Sequence, residues 1–351
     1  MLDDNLTGFR NTLTRLRDRL ARVPGSAPEH WKPTYCAIFL NDSCNLRCRM
    51  CGKWRSTDAP DAPTLEHWRT MLEELRALVE PGCLLNITGG EPLLSPMLFP
   101  FLALARDLGF KTQLPTNGSL LDEAAVDRLA EAGVSFLTLS LDGRTPALHD
   151  YLRGVPGVHA KVWRAIDLLH RRTSIGLNTC TVIQAANLHE LVPLAEDLCA
   201  DERILHFIFQ AVCKPFNVEL GENWFETPPY AELWPRDRSA LEATLDALGS
   251  LGARCSKLLN SRQQFEIFKR YFADYRAFLR KSPCLIDQAV LNIDDRGEVF
   301  FCLYHGSMGN VKTRGLTSIL RSPAVDEHRR RIRACRQNCQ SLVNCNFNEL
   351  W

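Results

Sequence analysis

Fourteen cysteines in 351 residues call for a chemical reason. A chain of this length buries enough surface to hold a core without staples, so spacing decides which of them matter. Cys44, Cys48 and Cys51 stand as C-x3-C-x2-C directly after a short apolar run. Cys335, Cys339 and Cys345 form a second group at the far end, with Cys284 and Cys302 leading up to it. Cys36, Cys83, Cys180, Cys199, Cys213 and Cys255 are scattered. Three thiolates can hold three irons of a cubane and leave the fourth iron open to an exchangeable ligand. The alternative is a structural zinc site, which needs a fourth Cys or His close by. Between residues 35 and 62 the sequence offers only Cys36, which lies in the preceding run.

A second constellation closes the next apolar run, Thr88-Gly89-Gly90-Glu91-Pro92. Two glycines let a ligand approach the backbone, and Glu91 offers a carboxylate suited to an ammonium group. Alone, such a segment reads as a turn; its place one unit after the cysteine loop makes it more than that. Thr116-Asn117-Gly118 and Ser140-Leu141-Asp142-Gly143 close the third and fourth runs in the same way.

Stepping along the chain shows what must position these groups. Apolar runs at 35–40, 84–87, 111–114, 136–141, 175–183 and 204–209 alternate with helical periodicity at 65–79, 97–108, 122–132, 160–171 and 188–198. Alternation at this interval indicates one parallel sheet covered by helices. Six units are too few for a full eightfold barrel, so the expected fold class is α/β, a six-stranded partial (βα)6 barrel, or partial TIM barrel. Its chemistry belongs at the carboxyl ends of the strands. An amphipathic helix at 6–23 and a Pro/Gly/Ser linker precede the barrel. After it come an aromatic loop at 214–235, helices at 238–251 and 263–279, and a hairpin pairing 289–293 with 299–303. The expected division is 1–34 for the helix and linker, 35–235 for the barrel and its following loop, and 236–351 for a small C-terminal α+β module.

With 42 basic against 41 acidic residues, the net charge of +1 gives no field to concentrate nucleic acid or anionic lipid. No run approaches a membrane span or a signal-peptide core. A cytoplasmic location is therefore expected, where reduced thiols favour metal ligation over disulfides. The aromatic loop is a candidate cover for the site. Phe265, Phe268, Phe272 and Tyr275 read as core packing, and the arginines between 329 and 336 as a solvated helix face.

Taken together, the C-x3-C-x2-C loop and the GGEP segment resemble the radical S-adenosylmethionine (radical SAM) superfamily, over about residues 35–210. The resemblance implies that Cys44, Cys48 and Cys51 hold a 4Fe–4S cluster whose open iron is chelated by SAM. Glu91, with the backbone of Gly89 and Gly90, would hold the SAM amino group, and Met50 would rest near the adenine. Asn117, Ser140, Asp142 and Asn178 would contact its methionine or ribose. Cys284, the Gly297-x4-Cys302 step and the cysteine-rich tail resemble the SPASM and twitch extensions, although the tail spacing C-x3-C departs from the SPASM pattern. Five cysteines imply one auxiliary 4Fe–4S cluster and one spare thiol. The implied activity is radical SAM oxidoreductase chemistry: reductive SAM cleavage, hydrogen abstraction and net oxidation of a small metabolite such as an aminocyclitol or sugar. A ribosomal-peptide maturase is the second reading, and a zinc-stabilised binding protein the third. The implied partners are a small-molecule or peptide substrate and an electron donor such as flavodoxin or ferredoxin.

Overall fold

The computed structural model describes residues 33–79, 83–277, 279 and 284–344. The expected helix at 6–23 and Cys345 lie outside these residues. Six parallel strands, β1 (Tyr35–Phe39), β2 (Leu84–Thr88), β3 (Lys111–Thr116), β4 (Phe136–Ser140), β5 (Gly176–Ile183) and β6 (His206–Ala211), lie side by side in chain order. The helices that return the chain between them are α1 (Leu65–Leu78), α2 (Leu98–Asp107), α3 (Glu123–Glu131), α4 (Pro146–Arg153), α5 (Val158–Arg172) and α6 (Leu188–Ala200).

Strands covered on both faces must be apolar nearly throughout. In β2 and β4 only the last residue escapes full burial. The helices begin where the sequence supplies caps: the Thr64 hydroxyl accepts from the His67 N–H, and the Asp122 carboxylate from the Ala125 N–H. Such contacts satisfy donors that helical geometry leaves unpaired.

Helix α4 was not visible as periodicity. It is short, and only His149, Leu152 and Arg153 of its eight residues are buried. The predicted hairpin forms as β7 (Val290–Ile293) and β8 (Glu298–Phe300), followed by β9 (Gly309–Asn310). It is not confined to a separate module. β7 pairs in parallel with β1, Tyr35 opposite Val290 and Ile38 opposite Ile293, so the sheet continues to nine strands. All four β7 residues are buried, which an isolated hairpin cannot achieve.

At the other edge, β6 is closed by two side-chain amides. Asn260 Oδ1 accepts from the Phe209 N–H at 2.7 Å and its Nδ2 donates to the Phe209 carbonyl at 2.9 Å. Asn344 treats Ala211 in the same way, at 2.7 and 2.9 Å. Each amide supplies the donor and acceptor a neighbouring strand would have offered.

The aromatic loop is not an exposed cover. Trp224, Phe225 and Trp234 are buried against Tyr271, Phe272 and Tyr275, of which the first two lie on α8 (Arg262–Ala273), the eighth helix after α7 (Arg238–Leu251). The expectation that cysteines would stay unpaired also needs correction. Cys199, at the end of α6, is disulfide-bonded to Cys255, beyond α7, where packing of these helices brings their Cα atoms to 6.0 Å.

Candidate functional site

The cysteine loop leaves β1 and is held by backbone from several elements. On one side it is zipped to the GGEP segment: the Gly90 N–H donates to the Asn41 carbonyl at 3.0 Å and the Glu91 N–H to the Ser43 carbonyl at 2.9 Å. A Cβ at Gly90 would lie 1.9 Å from Ser43 O, and one at Gly89, where φ is +154°, 2.4 Å from Asn41 O. The space at both glycines, expected to admit a ligand, is taken by the cysteine loop itself. On the other side the loop docks on the carboxyl end of α4. The N–H groups of Arg47 and Arg49 donate to the Arg153 and Leu152 carbonyls at 3.2 and 3.0 Å. These are carbonyls that a helix end leaves unpaired. A third anchor runs from the Gly52 N–H to the Phe216 carbonyl at 2.9 Å.

This arrangement gathers Cys44, Cys48 and Cys51 so that their sulfurs feel one another's charge. Burial raises all three thiols, Cys48 to about 11. The Leu46 N–H pulls Cys44 back, the Arg153 charge pulls Cys48 back, and the Lys53 N–H and ammonium pull Cys51 back. The free thiols are therefore protonated near neutrality, and ligation must displace those protons.

Glu91 is buried at 1% exposure. Its carboxylate accepts from the Thr116 hydroxyl at 2.7 Å, the Asn117 N–H at 2.8 Å and the Leu93 N–H at 3.3 Å. Burial raises its pKa and these donors oppose the rise. It thus clamps the ends of β2 and β3 together, with acceptor capacity left on Oε2. Asn117 also reaches the cysteine loop, its Nδ2 donating to Asn45 Oδ1 at 2.9 Å. Met50 is half-buried against the core, and Ser140 half-buried at the end of β4.

Asp142 is wholly buried behind the loop, paired with Arg153 at 2.7 Å and accepting from the Val182 N–H at 2.8 Å. Asn178 is buried on β5 with neither amide atom bonded, and Gln184, just beyond that strand, is the same at 0% exposure. Buried amides without partners are rare in folded chains; Gln184 stands just past the carboxyl end of β5, and Asn178 lies lower in the same strand, opposite Thr138 of β4. Asn178 was expected from sequence; Gln184 and Arg153 were not. Gln184 could have been found as a polar residue directly closing an apolar run. Arg153 had no signal beyond its place in an unrecognised helix.

The second site collects Cys284, Cys302, Cys335 and Cys339. Burial pushes Cys302 up to about 12 and Cys339 to about 11, and each also feels the charge of the other thiols of the group. Cys302 follows β8; Cys335 caps the helix Pro323–Ala334; Cys339 precedes the short helix Gln340–Asn344, whose N–H groups at Leu342 and Ser341 oppose its rise. Of the nearby arginines, Arg329 and Arg333 each lie 3.5 Å from buried Asp287, while Arg330 and Arg331 pair with Glu327 on the helix surface.

Among the described residues no three Cys, His, Asp or Glu side chains converge closely enough to hold one metal ion. Thiolates around a single zinc sit about 3.8 Å apart, given 2.3 Å bonds, whereas the ligands of a cubane are separated by the cluster. Sets of three and four thiols suit iron–sulfur clusters, and the orphaned amides suit a polar cosubstrate.

The two sites share one short strap. Asn344 donates to Cys213 Sγ at 3.4 Å beside the second site, and three residues on, Phe216 holds the cysteine loop at Gly52. Three residues span at most about 11 Å.

A parallel α/β barrel with one thiol group at the carboxyl end of its first strand and another in an appended module is the architecture of an iron–sulfur barrel protein. Residues 38–198 match the radical SAM superfamily and residues 284–346 the SPASM iron–sulfur cluster-binding domain. The chain carries a radical SAM domain followed by a C-terminal SPASM domain. These domains imply a SAM-binding 4Fe–4S cluster and an auxiliary iron–sulfur cluster. The chain is 31% identical over 165 residues to the AdoMet-dependent heme synthase of Methanosarcina barkeri, covering 47% of this chain and 46% of that protein. It is 33% identical over 178 residues to the PqqA peptide cyclase of Ruegeria pomeroyi, covering 48% and 45%. It thus spans less than half the length of these relatives. The fold is shared with Streptococcus suis SuiB bound to S-adenosylmethionine, at a TM-score of 0.65 and 18% identity over 90% of this chain and 72% of that one. Among the described residues no helix is long and apolar enough to cross a membrane.

Proposed function

We propose that this chain is a radical SAM oxidoreductase that removes hydrogen from a peptide side chain and passes the second electron to its auxiliary cluster. When bound, the SAM-ligated cluster supplies a 5′-deoxyadenosyl radical. Cys44, Cys48 and Cys51 hold that cluster, and Asn178 and Gln184 offer unpaired amides to the polar groups of SAM. Glu91 holds the strand ends in register and presents its remaining acceptor to the SAM ammonium.

The observation that carries net oxidation is the count at the second site. Among the described residues Cys284, Cys302, Cys335 and Cys339 come together, and four thiolates suffice to saturate a four-iron cluster. Such a cluster has no open iron with which to anchor substrate, which supports electron acceptance as its use. The peptide reading draws on three exposed apolar side chains, Phe216, Leu303 and Tyr304. They lie around the strap that joins the sites, where Tyr304 feels the charge of Cys339, Cys213 and Cys302. The likeness to a peptide cyclase supports the same reading.

The test is anaerobic incubation of reconstituted protein with SAM, dithionite and either a panel of peptides or a panel of aminocyclitols and sugars. Peptide-dependent 5′-deoxyadenosine, with loss of two hydrogen atoms from the peptide by mass spectrometry, is expected. Turnover confined to the small-molecule panel would overturn the peptide assignment, and a product at unchanged oxidation level would overturn the role of the second cluster.

A further inference from the structure

The carboxyl end of α4 does more than receive the cysteine loop. Arg153, its last residue, extends a guanidinium N–H to Cys48 Sγ at 3.8 Å and pairs with Asp142 at 2.7 Å. The arginine side chain is 11% exposed and the aspartate 0%. Asp142 is fixed in turn by the Val182 N–H at 2.8 Å, and the Asp142 N–H donates to His149 Nδ1 at 3.1 Å. Gly154, at φ +71°, lets this end meet the loop, since a Cβ there would lie 2.2 Å from Arg47 O.

We infer that Arg153 and Asp142 form a charge pair that sets the reduction potential of the SAM-binding cluster through the Cys48 sulfur, Arg153 raising it and Asp142 limiting the rise. The inference rests on reading Cys48 as a cluster ligand. Cluster potentials follow the net charge and hydrogen bonds at the sulfurs, and residues behind the ligands commonly tune a metal site. Reduction adds one negative charge, so a donated N–H and a nearby cation favour the reduced state. An anion disfavours it. At 0% exposure Asp142 is poorly screened by water, so its charge reaches the cluster. Both are positioning residues, since neither touches a reacting atom.

The two members therefore act with opposite sign, which a purely structural role would not produce. The test uses the full chain reconstituted anaerobically with iron and sulfide, without SAM, and titrated with dithionite while electron paramagnetic resonance follows the reduced first cluster. Arg153→Gln is expected to lower the reduced-to-oxidised ratio at fixed solution potential about tenfold, equivalent to 59 mV for one electron. Asp142→Asn is expected to raise it, and the double variant to return towards the parent. The double variant also guards against misfolding of Arg153→Gln, because it leaves no buried charge unpaired. Thermal unfolding of the apoproteins reports the fold separately. If the parent forms no first cluster, the ligand assignment fails. If it forms one and both single variants titrate at the parent potential, or both shift the same way, the tuning pair is refuted.

Discussion

Gly90→Ala isolates the seam between the GGEP segment and the cysteine loop. The new Cβ would sit 1.9 Å from Ser43 O, 2.5 Å from Ser43 C and 2.6 Å from Asp42 O, all backbone atoms that no rotamer change can move aside. A relaxed carbon–oxygen contact is about 3.3 Å, so the strands of the seam must part by roughly 1.4 Å. Three hydrogen bonds cross it: Gly90 N–H to Asn41 O at 3.0 Å, Glu91 N–H to Ser43 O at 2.9 Å, and Asn41 Nδ2 to Glu91 O at 3.0 Å. Opened by that amount, all three exceed hydrogen-bonding distance. Each buried group left unmatched costs about 1–3 kcal/mol, so the variant should lose about 4 kcal/mol or more. Gly109→Ala is the control. Its φ is +74° but no heavy atom lies within 4 Å of the added Cβ, so only the left-handed backbone penalty of about 1–2 kcal/mol applies. Thermal unfolding of the apoproteins should show Gly90→Ala lowered by about 5 °C or more and Gly109→Ala by about 1.5–3 °C. Reconstituted Gly90→Ala should also lose the iron of its first cluster. Equal melting shifts with full iron in both variants would refute the view that this seam holds the loop.

Replacing Cys44, Cys48 and Cys51 with alanine should remove half of about eight irons, which iron analysis after reconstitution decides. Reducing the Cys199–Cys255 bridge, which closes a sequence separation of 56, should cost up to about 4 kcal/mol by loop-closure entropy. The melting temperature should thus fall in dithiothreitol for the parent and stay constant for the Cys199→Ser, Cys255→Ser variant. His328 is held down to about 4 by burial first, and then by His305 and Arg331. Its unfolded value is about 6.5, so the unfolded chain takes up the proton first as pH falls. Stability is complete above that value and declines towards pH 4 by about 3 kcal/mol in all. His328→Gln should flatten this part of the apoprotein's stability profile, and an unchanged slope would place the dependence elsewhere.

The barrel was legible because each strand is a short apolar run and each main helix repeats its apolar residues every three or four positions. Its strand ends were legible because glycine and polar residues interrupt those runs at fixed places. What sequence does not carry is partnership. Residues 290–293 read as half of a hairpin, and nothing local says that they also pair with β1, because a parallel register is fixed by burial across the fold. Arg153 looks like any helix-terminal cation until α4 meets Arg47 and Arg49. The six scattered cysteines show the same limit: Cys36 Sγ lies 3.7 Å from Cys83 Sγ, and Cys199 is bonded to Cys255, neither being a spacing motif. The aromatic loop shows the same limit, since tryptophans in irregular sequence suit a lid as well as a core and only packing partners such as those of Trp224 and Trp234 separate the two.

The cysteine loop contains almost no regular structure, yet its position is tightly determined. Main-chain bonds from Gly90, Glu91, Leu152, Arg153 and Phe216 fix it from three sides, and four glycines, at 52, 89, 90 and 154, are required for those approaches. A loop held by backbone leaves its side chains available, which is what a site needing three free thiols demands. The cost is sensitivity to any Cβ at the seams. Phe216 links this requirement to the second site, because the strap that fixes Gly52 begins at Cys213, which is itself held by Asn344 of the C-terminal tail. The two thiol groups are therefore linked by a three-residue run of chain that is hydrogen-bonded to the cysteine loop at one end and to the C-terminal tail at the other. The pairing of β7 with β1 works to the same end, since the strand that leads into the first thiol loop is hydrogen-bonded to the strand that leads towards Cys302.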